Sequence, residues 1–252
     1  MKSEKVQFSN HNGDILEGKL ESLGTKDPSS YAIFAHCFTC TKNIRAAGSI
    51  SKALAQKNIA TLRFDFTGLG QSEGDFADST FSTDTKDIVS AANFLEEDYE
   101  APQLLVGHSL GGAAVIHAAN KIPSVKAVAS VAAPFDPEHV THLLQCSLEE
   151  IEEKGEAEVL LAGRPFTVKK SFLDDFKDHN PKKIVSELGR ALLVLHSPVD
   201  TTVSIDNAAA IYSAAKHPKS FVTLDPADHL LTKDEDSQYV GEIIAAWAER
   251  YT

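Results

Sequence analysis

Cysteine is scarce in this sequence of 252 residues, which has only Cys37, Cys40 and Cys146. Three cysteines cannot all pair within one chain, and small secreted folds that depend on disulfides carry more of them. The count excludes a disulfide-built scaffold and predicts reduced thiols. Because the C-x-x-C pair formed by Cys37 and Cys40 has no second half-site, the sequence also argues against structural zinc, and we expect no bound metal.

Basic residues are outnumbered: 24 lysines and arginines stand against 36 aspartates and glutamates, for a formal net charge of -12. Such a surface repels nucleic-acid phosphates and anionic lipid headgroups, so we expect neither nucleic acid nor membrane as a partner. Long apolar runs are lacking too. The N-terminal lysines lead into polar sequence rather than an apolar signal segment, and no stretch approaches the length of a membrane span. We therefore expect a cytoplasmic location.

Strand-like and helix-like runs alternate through most of the chain. The turn pair Asn12-Gly13 lies between β-like runs at 5–9 and 15–21 and predicts an N-terminal antiparallel hairpin. Apolar runs such as YAIFAH, IATLRF, LLVGHS and ALLVLHS follow, separated by helix-like segments. This alternation predicts the α/β class, with a mostly parallel central sheet covered by helices on both faces. The length fits a single domain spanning residues 1–252.

One segment interrupts the alternation between two predicted core strands. Residues 135–188 are rich in acidic side chains and contain one short β-like piece, RPFTVKK. In α/β folds, ligands bind outside the carboxyl ends of the strands, so we interpret the segment as a small cap inserted over that edge. The alternative is a solvated helical excursion on the flank of the sheet.

The stretch Gly107-His108-Ser109-Leu110-Gly111 has the form G-x-S-x-G and lies between an apolar strand-like run and a helix-forming segment. A serine at such a sharp turn projects its hydroxyl outward, and flanking glycines avoid clashes with the neighbouring strand and helix. The Leu110 N–H at the helix start is free to stabilise an oxyanion. The context predicts that Ser109 is a nucleophile.

A serine nucleophile needs a histidine base and a carboxylate that orients the base. In a fold of this kind the order along the chain is serine, acid, histidine. His229 follows the last predicted strand, which places it at the same carboxyl edge of the sheet as Ser109. Asp200 follows the strand ALLVLHS at that edge and is the predicted acid, with Asp206 in reserve.

The loop AHCFTC after the first parallel strand should supply a second oxyanion donor, which we assign to the backbone N–H of Phe38. We expect Cys37, His108 and Phe135 to line the substrate pocket. Two other functions stay open at this point. One is a thiol-dependent redox or peroxidase accessory that uses Cys37 and Cys40. The other is a non-catalytic binding module on the same fold.

These segments resemble the α/β-hydrolase superfamily along nearly the whole chain, through GHSLGG, HSPVD, ADHLL and DFTGLGQSEG. More narrowly, HCFTC, GEAEVLLAGRPFTV and HPKSFVTLDPADHLL are similar to the hydrolase half of bacterial proteins that fuse it to an OsmC-like hydroperoxide-reductase domain. The resemblance implies a serine esterase for small carboxylic esters that needs no cofactor. It also implies an OsmC-like domain as a fused or associated partner. The chain departs from many members at Cys37, where they have glycine.

Overall fold

An eight-stranded sheet forms the centre of the computed structural model, which describes residues 1–161 and 163–252. Its strands are β1 (Lys2–Ser9), β2 (Ile15–Ser22), β3 (Ser30–Ala35), β4 (Ile59–Phe64), β5 (Leu104–His108), β6 (Ala127–Val131), β9 (Ala191–His196) and β10 (Lys219–Thr223). They lie in the order β1-β2-β4-β3-β5-β6-β9-β10. β2 pairs antiparallel with β1 and β4, and all pairs from β4 to β10 are parallel. The predicted mostly parallel sheet with an N-terminal hairpin is confirmed.

Helices cover both faces of the sheet. They are α1 (Arg45–Gln56), α2 (Phe81–Asp98), α3 (Leu110–Ala119), α4 (Leu148–Lys154), α5 (Lys170–Asp175), α6 (Pro181–Ser186), α7 (Asp206–Ala214) and α8 (Asp234–Ala248). α1 and α8 pack on one face, and α2, α3, α6 and α7 pack on the other. Successive side chains of a strand point to opposite faces of the sheet. In β3, Ile33 therefore packs on the face covered by α2, α3, α6 and α7, and Phe34 packs on the face covered by α1 and α8. No helix in the described part of the chain combines the length and apolarity required to cross a lipid bilayer.

The insert, residues 135–188, contains more regular structure than its composition suggests. It holds a 3-10 helix (Pro137–Ser147), α4, an antiparallel pair formed by β7 (Glu156–Leu161) and β8 (Arg164–Lys169), α5, a short 3-10 turn (Phe176–Asp178) and α6. The predicted β-like piece is β8. Its partner β7 was not predicted, although Ala157, Val159 and Leu161 alternate with exposed residues and bury one face against the main core.

Candidate active site

Ser109 occupies a strained turn between β5 and α3. Its backbone has φ 56° and ψ -126°, a positive φ that non-glycine residues rarely adopt. A Cβ at position 107 would lie 2.2 Å from the carbonyl oxygen of Gly111, and a Cβ at position 111 would lie 2.3 Å from that of His36. Only glycine fits at either position, so the two glycines of the motif allow the sharp turn that presents the serine hydroxyl.

The structure brings the three predicted catalytic side chains into one hydrogen-bonded row. Ser109 Oγ lies 3.0 Å from His229 Nε2, and His229 Nδ1 lies 2.7 Å from Asp200 Oδ2. Because a carboxylate only accepts hydrogen bonds, Nδ1 carries the proton of a neutral His229 ring. Nε2 then presents its lone pair to the serine hydroxyl, which is the arrangement that a general base requires.

Asp200 is held in its ionised form by several donors. Its Oδ1 accepts the backbone N–H groups of Thr202 at 2.8 Å and Val203 at 2.9 Å, while Oδ2 accepts from His229. Burial raises the pKa of the Asp200 carboxyl, but the hydrogen bonds outweigh burial and the pKa lies below its ordinary value. The reserve candidate, Asp206, is exposed at the start of α7 and accepts a hydrogen bond from Ser204 instead.

The peptide between Cys37 and Phe38 is oriented by two donors. The Cys37 carbonyl accepts from His36 Nδ1 at 2.9 Å and from the Cys40 N–H at 3.0 Å. Because a trans peptide is planar, its N–H, that of Phe38, points the opposite way. Within the described residues neither this N–H nor that of Leu110 donates a hydrogen bond, and both residues line the same cavity as Ser109. Sequence reasoning missed the orienting role of His36, since no periodicity or motif indicates it.

Cys37 and Cys40 form a disulfide, so the expectation of reduced thiols is wrong. A low number of cysteines argues against a fold that depends on several disulfides between distant residues. It does not bear on a disulfide between two cysteines of the same turn. Here the turn closed by the Cys40 N–H brings the two Cα atoms to 5.3 Å, within the range that a disulfide spans. Cys146 is free and exposed. Cys37 therefore lines the cavity as half of a bridge.

A cavity of about 580 Å³ opens beside Ser109 and His229. Most of its wall is apolar and comes from the loop after β3, the 3-10 helix of the insert and the β7–β8 hairpin. Of the three residues predicted to line it, Cys37 does so, but His108 and Phe135 do not. Phe135 packs against the core below the insert, while the neighbouring Pro134 reaches the wall.

His108 has a different position from the predicted one. Neighbouring residues of a strand point to opposite faces, so its side chain lies behind the turn rather than in the cavity. It is fully buried, and its Nε2–H donates to the backbone carbonyl of His229 at 2.7 Å. Burial lowers the pKa of His108 to about 4, which keeps the ring neutral. The residue thus fixes the loop that carries His229.

Known proteins resemble this chain over different lengths. Residues 34–157 match the family model for serine aminopeptidase, S33. The chain is 30% identical over 176 residues to palmitoyl-protein thioesterase ABHD10, mitochondrial, of Rattus norvegicus, which is 69% of this chain and 55% of that protein. The Mus musculus form is 31% identical over 151 residues, covering 58% and 46%. The chain therefore spans about half the length of these curated relatives.

Solved structures extend the likeness to the full chain. The esterase domain of a Rhodothermus marinus protein is 46% identical, covers 100% of this chain and 99% of its own, and superposes with a TM-score of 0.82. Mouse α/β-hydrolase domain-containing protein 10 covers 98% of this chain and 99% of its own with a TM-score of 0.79, and at 23% identity it supports the fold alone. By its fold and by these matches, the chain belongs to the α/β-hydrolase superfamily.

Proposed function

We propose that this protein is a serine carboxylesterase that cleaves small carboxylic esters through an acyl-enzyme on Ser109. The observation that carries the proposal is the hydrogen-bonded row from Ser109 through His229 to Asp200. Ser109 and His229 line a largely apolar cavity. The 46% identity to an esterase domain over the whole chain supports the same reaction class. The cavity lining drawn from the insert supports its interpretation as a cap within one domain of residues 1–252.

In the first half of the proposed reaction, Ser109 Oγ attacks the ester carbonyl carbon while His229 Nε2 takes the hydroxyl proton. The carbonyl oxygen becomes an oxyanion, and the free N–H groups of Phe38 and Leu110 stabilise it. The tetrahedral intermediate then collapses as the bond to the leaving alkoxide breaks. That alkoxide receives the proton from Nε2 and departs as the alcohol.

In the second half, a water molecule replaces the alcohol. His229 Nε2 takes a proton from the water as its oxygen attacks the acyl carbon, and the same two N–H groups stabilise the second oxyanion. Collapse of this intermediate breaks the bond to Ser109 Oγ, which recovers its proton from Nε2. The products are a free carboxylic acid and the regenerated enzyme, with Asp200 holding the imidazole throughout.

A second candidate is hydrolysis of thioesters by the same acyl-enzyme route. The names of the relatives from rat and mouse favour it, because both are palmitoyl-protein thioesterases. An oxygen ester and a thioester of the same acid form the same acyl-enzyme, so comparing their kcat/KM values isolates the preference for the leaving group. A higher value for the thioester would assign this protein to thioester hydrolysis.

The proposal is tested by replacing the nucleophile. Ser109→Ala should lower the kcat for short-chain p-nitrophenyl esters by about 10⁴-fold or more, because the residual rate comes only from binding and the oxyanion donors. It should also abolish labelling by a fluorophosphonate probe. Ser186→Ala, a serine of the insert outside the cavity lining, is the matched control and should retain both properties. Unchanged turnover in Ser109→Ala would reject the assignment.

A further inference from the structure

The cavity wall differs in charge from the rest of this acidic molecule. The chain has 36 aspartates and glutamates and a net charge of -12, yet none of the described residues that line the cavity is acidic. One arginine, Arg164, and two histidines besides His229, which are His139 and His142, lie in the same wall. A concave surface of this kind attracts an anion that the surrounding surface repels.

Arg164 lines the cavity, and most N–H groups of its guanidinium are free to bind a ligand. It begins β8, and its guanidinium donates to the carbonyl oxygen of Thr39, the residue that follows Phe38 in the oxyanion loop. The same guanidinium lies over the Phe166 ring, 5.2 Å from its centre, in a cation–π contact. An arginine has five N–H donors, and one of them is used at Thr39.

Arg164 also lacks a carboxylate partner among the described residues, unlike the lysines that follow it on β8 and α5. Lys169, Lys170 and Lys177 each pair with a carboxylate of the surface. For Arg164 the structure gives contacts only to a carbonyl oxygen and an aromatic ring. A guanidinium fork matches the two oxygens of a carboxylate and binds it through two parallel hydrogen bonds. The wall therefore offers an unused carboxylate-binding group beside the loop that carries the Phe38 N–H.

The two histidines add donors to the same wall. Both lie on the 3-10 helix Pro137–Ser147, and their ring centres are 4.7 Å apart. His139 Nε2 donates to the carbonyl oxygen of Thr202 at 3.1 Å, which ties this helix to the loop that carries Asp200. Between the polar groups the wall is aliphatic, with Val140, Leu161 and Val203 among its residues. Such a wall suits a short hydrocarbon segment between two polar ends.

We propose that the cavity selects esters that carry a second, ionised carboxylate, and that Arg164 binds this carboxylate. The substrate class is then the monoesters of dicarboxylic acids, or esters whose alcohol bears the acid group. This inference rests on the esterase function proposed above. It assigns to Arg164 a specificity role, since its guanidinium would bind a substrate carboxylate that takes no part in bond breaking.

Two matched pairs of esters test the inference. One pair is the p-nitrophenyl monoester of glutaric acid with p-nitrophenyl valerate, which places the charge on the acyl side. The other is 3-carboxyphenyl butyrate with phenyl butyrate, which places it on the alcohol side. For each pair we compare the kcat/KM of the charged ester with that of the neutral ester as a ratio. In one of the two pairs, Arg164→Gln should lower this ratio by about tenfold or more, mostly through a higher KM for the charged ester. The pair that responds identifies the side that carries the acid.

Two further variants separate charge recognition from a structural role. The glutamine of Arg164→Gln keeps an N–H donor for the Thr39 carbonyl. Arg164→Lys keeps the positive charge but lacks the two-pronged guanidinium, so the ratio for this variant should lie between those of wild type and Arg164→Gln. Lys182→Gln removes one exposed charge from the insert outside the cavity lining and should leave the ratio as in wild type. A ratio unchanged by Arg164→Gln in both pairs would overturn the inference while leaving the esterase intact. Absence of turnover for all four esters would instead reject the esterase itself, and the inference with it.

Discussion

Each protonation state in the row from Ser109 to Asp200 is fixed by a neighbouring atom. Two backbone N–H groups and one ring N–H surround the Asp200 carboxylate, so it stays ionised and the proton of His229 stays on Nδ1. The opposite nitrogen is then available to Ser109. Behind the row, His108 holds the backbone of His229 through a carbonyl contact at 2.7 Å. The base is thus positioned through both its ring and its main chain.

Replacing the acid should disable the base by changing its tautomer. In Asp200→Asn the amide oxygen takes the place of Oδ1 toward the N–H groups of Thr202 and Val203, so the amide NH₂ faces His229 Nδ1. His229 must then carry its proton on Nε2 and cannot accept the proton of Ser109. We expect kcat for p-nitrophenyl esters to fall by about 10⁴-fold.

Asp206→Asn is the matched control for this change, since Asp206 is exposed and contacts Ser204 rather than His229. Its kcat should stay within about twofold of wild type, as for surface substitutions in general. A larger loss for Asp206→Asn than for Asp200→Asn would transfer the acid role to Asp206.

At this scale the sequence predicted which residues meet but not every direction in which they point. The order serine, acid, histidine and the position of each after a strand were sufficient to select Ser109, Asp200 and His229. The prediction placed His108 in the cavity because it precedes Ser109 in the sequence. Adjacent residues of a strand point in opposite directions, however, so proximity along the chain did not bring its side chain into the cavity. The His36 ring contacts the carbonyl of the next residue, Cys37, and accepts the Phe66 N–H at 3.4 Å, and no periodicity or motif encodes this orientation.

Among the elements, the loop after β3 is held from both sides. On the side of the core, the Lys42 N–H donates to Asp65 Oδ1 at 2.6 Å, and the buried Lys42 ammonium pairs with the same carboxylate. On the side of the insert, Arg164 reaches the carbonyl of Thr39. The Cys37–Cys40 bridge closes the turn between these two anchors. The Phe38 N–H therefore has several independent supports.

Because of these supports, removing the bridge should weaken the loop without disabling it. For Cys37→Ser with Cys40→Ser we expect esterase kcat to fall by less than about tenfold, since the contacts of His36, Asp65 and Arg164 remain. The free energy of unfolding should fall by about 2 kcal/mol, because the bridge closes a very short loop. Steady-state kinetics and urea denaturation measure the two effects.

The same double variant separates the esterase from the thiol-dependent alternative. Under the alternative, consumption of hydroperoxide with a dithiol reductant would depend on the two cysteines while ester cleavage would be incidental. Cys146→Ser removes the exposed free cysteine and serves as the control. Peroxide consumption by wild type that disappears in the double variant, at a rate above its esterase turnover, would favour the redox function.

Element types followed from apolar periodicity, whereas several boundaries depended on side-chain contacts. α2 begins at Phe81 because the Thr80 side chain accepts the Thr83 N–H and caps the first turn, a contact that apolar periodicity does not reveal. β7 escaped detection because the exposed Leu160 lies between Val159 and Leu161 and interrupts the polar–apolar alternation. Short strands that pair only with each other give a weak signal in sequence.

Over the whole molecule, buried histidines couple folding to acid pH. Burial lowers the pKa of His36 and His108 to about 4 each and that of His117 to about 3. In the unfolded chain such groups titrate near 6.5. Below about pH 6.5 these histidines bind protons in the unfolded chain but stay neutral in the folded protein. The free energy of unfolding therefore decreases as the pH falls. Asp87 opposes this trend, because burial raises its pKa to about 6 and the folded state then binds the proton more tightly.

His117 allows this coupling to be measured away from the catalytic row. It is 8% exposed, lies 4.9 Å from the Phe81 ring and 5.2 Å from the His179 ring, and is further disfavoured as a cation by His179 and Lys121. Its neutral form is stable from high pH down to about 3. Between that value and about 6.5 it therefore makes stability decrease with falling pH.

Removing the ionisable ring should flatten this dependence. For His117→Leu and His117→Phe we expect the free energy of unfolding, measured by urea denaturation between pH 6 and pH 4, to fall less steeply than in wild type. The difference in slope should approach but not exceed about 1.4 kcal/mol per pH unit, the value for one proton. The two variants differ in how they fill the site, so their stabilities at neutral pH will differ while their slopes agree. Slopes equal to wild type in both variants would mean that His117 takes up its proton in the folded protein as easily as in the unfolded chain, and the burial argument would fail.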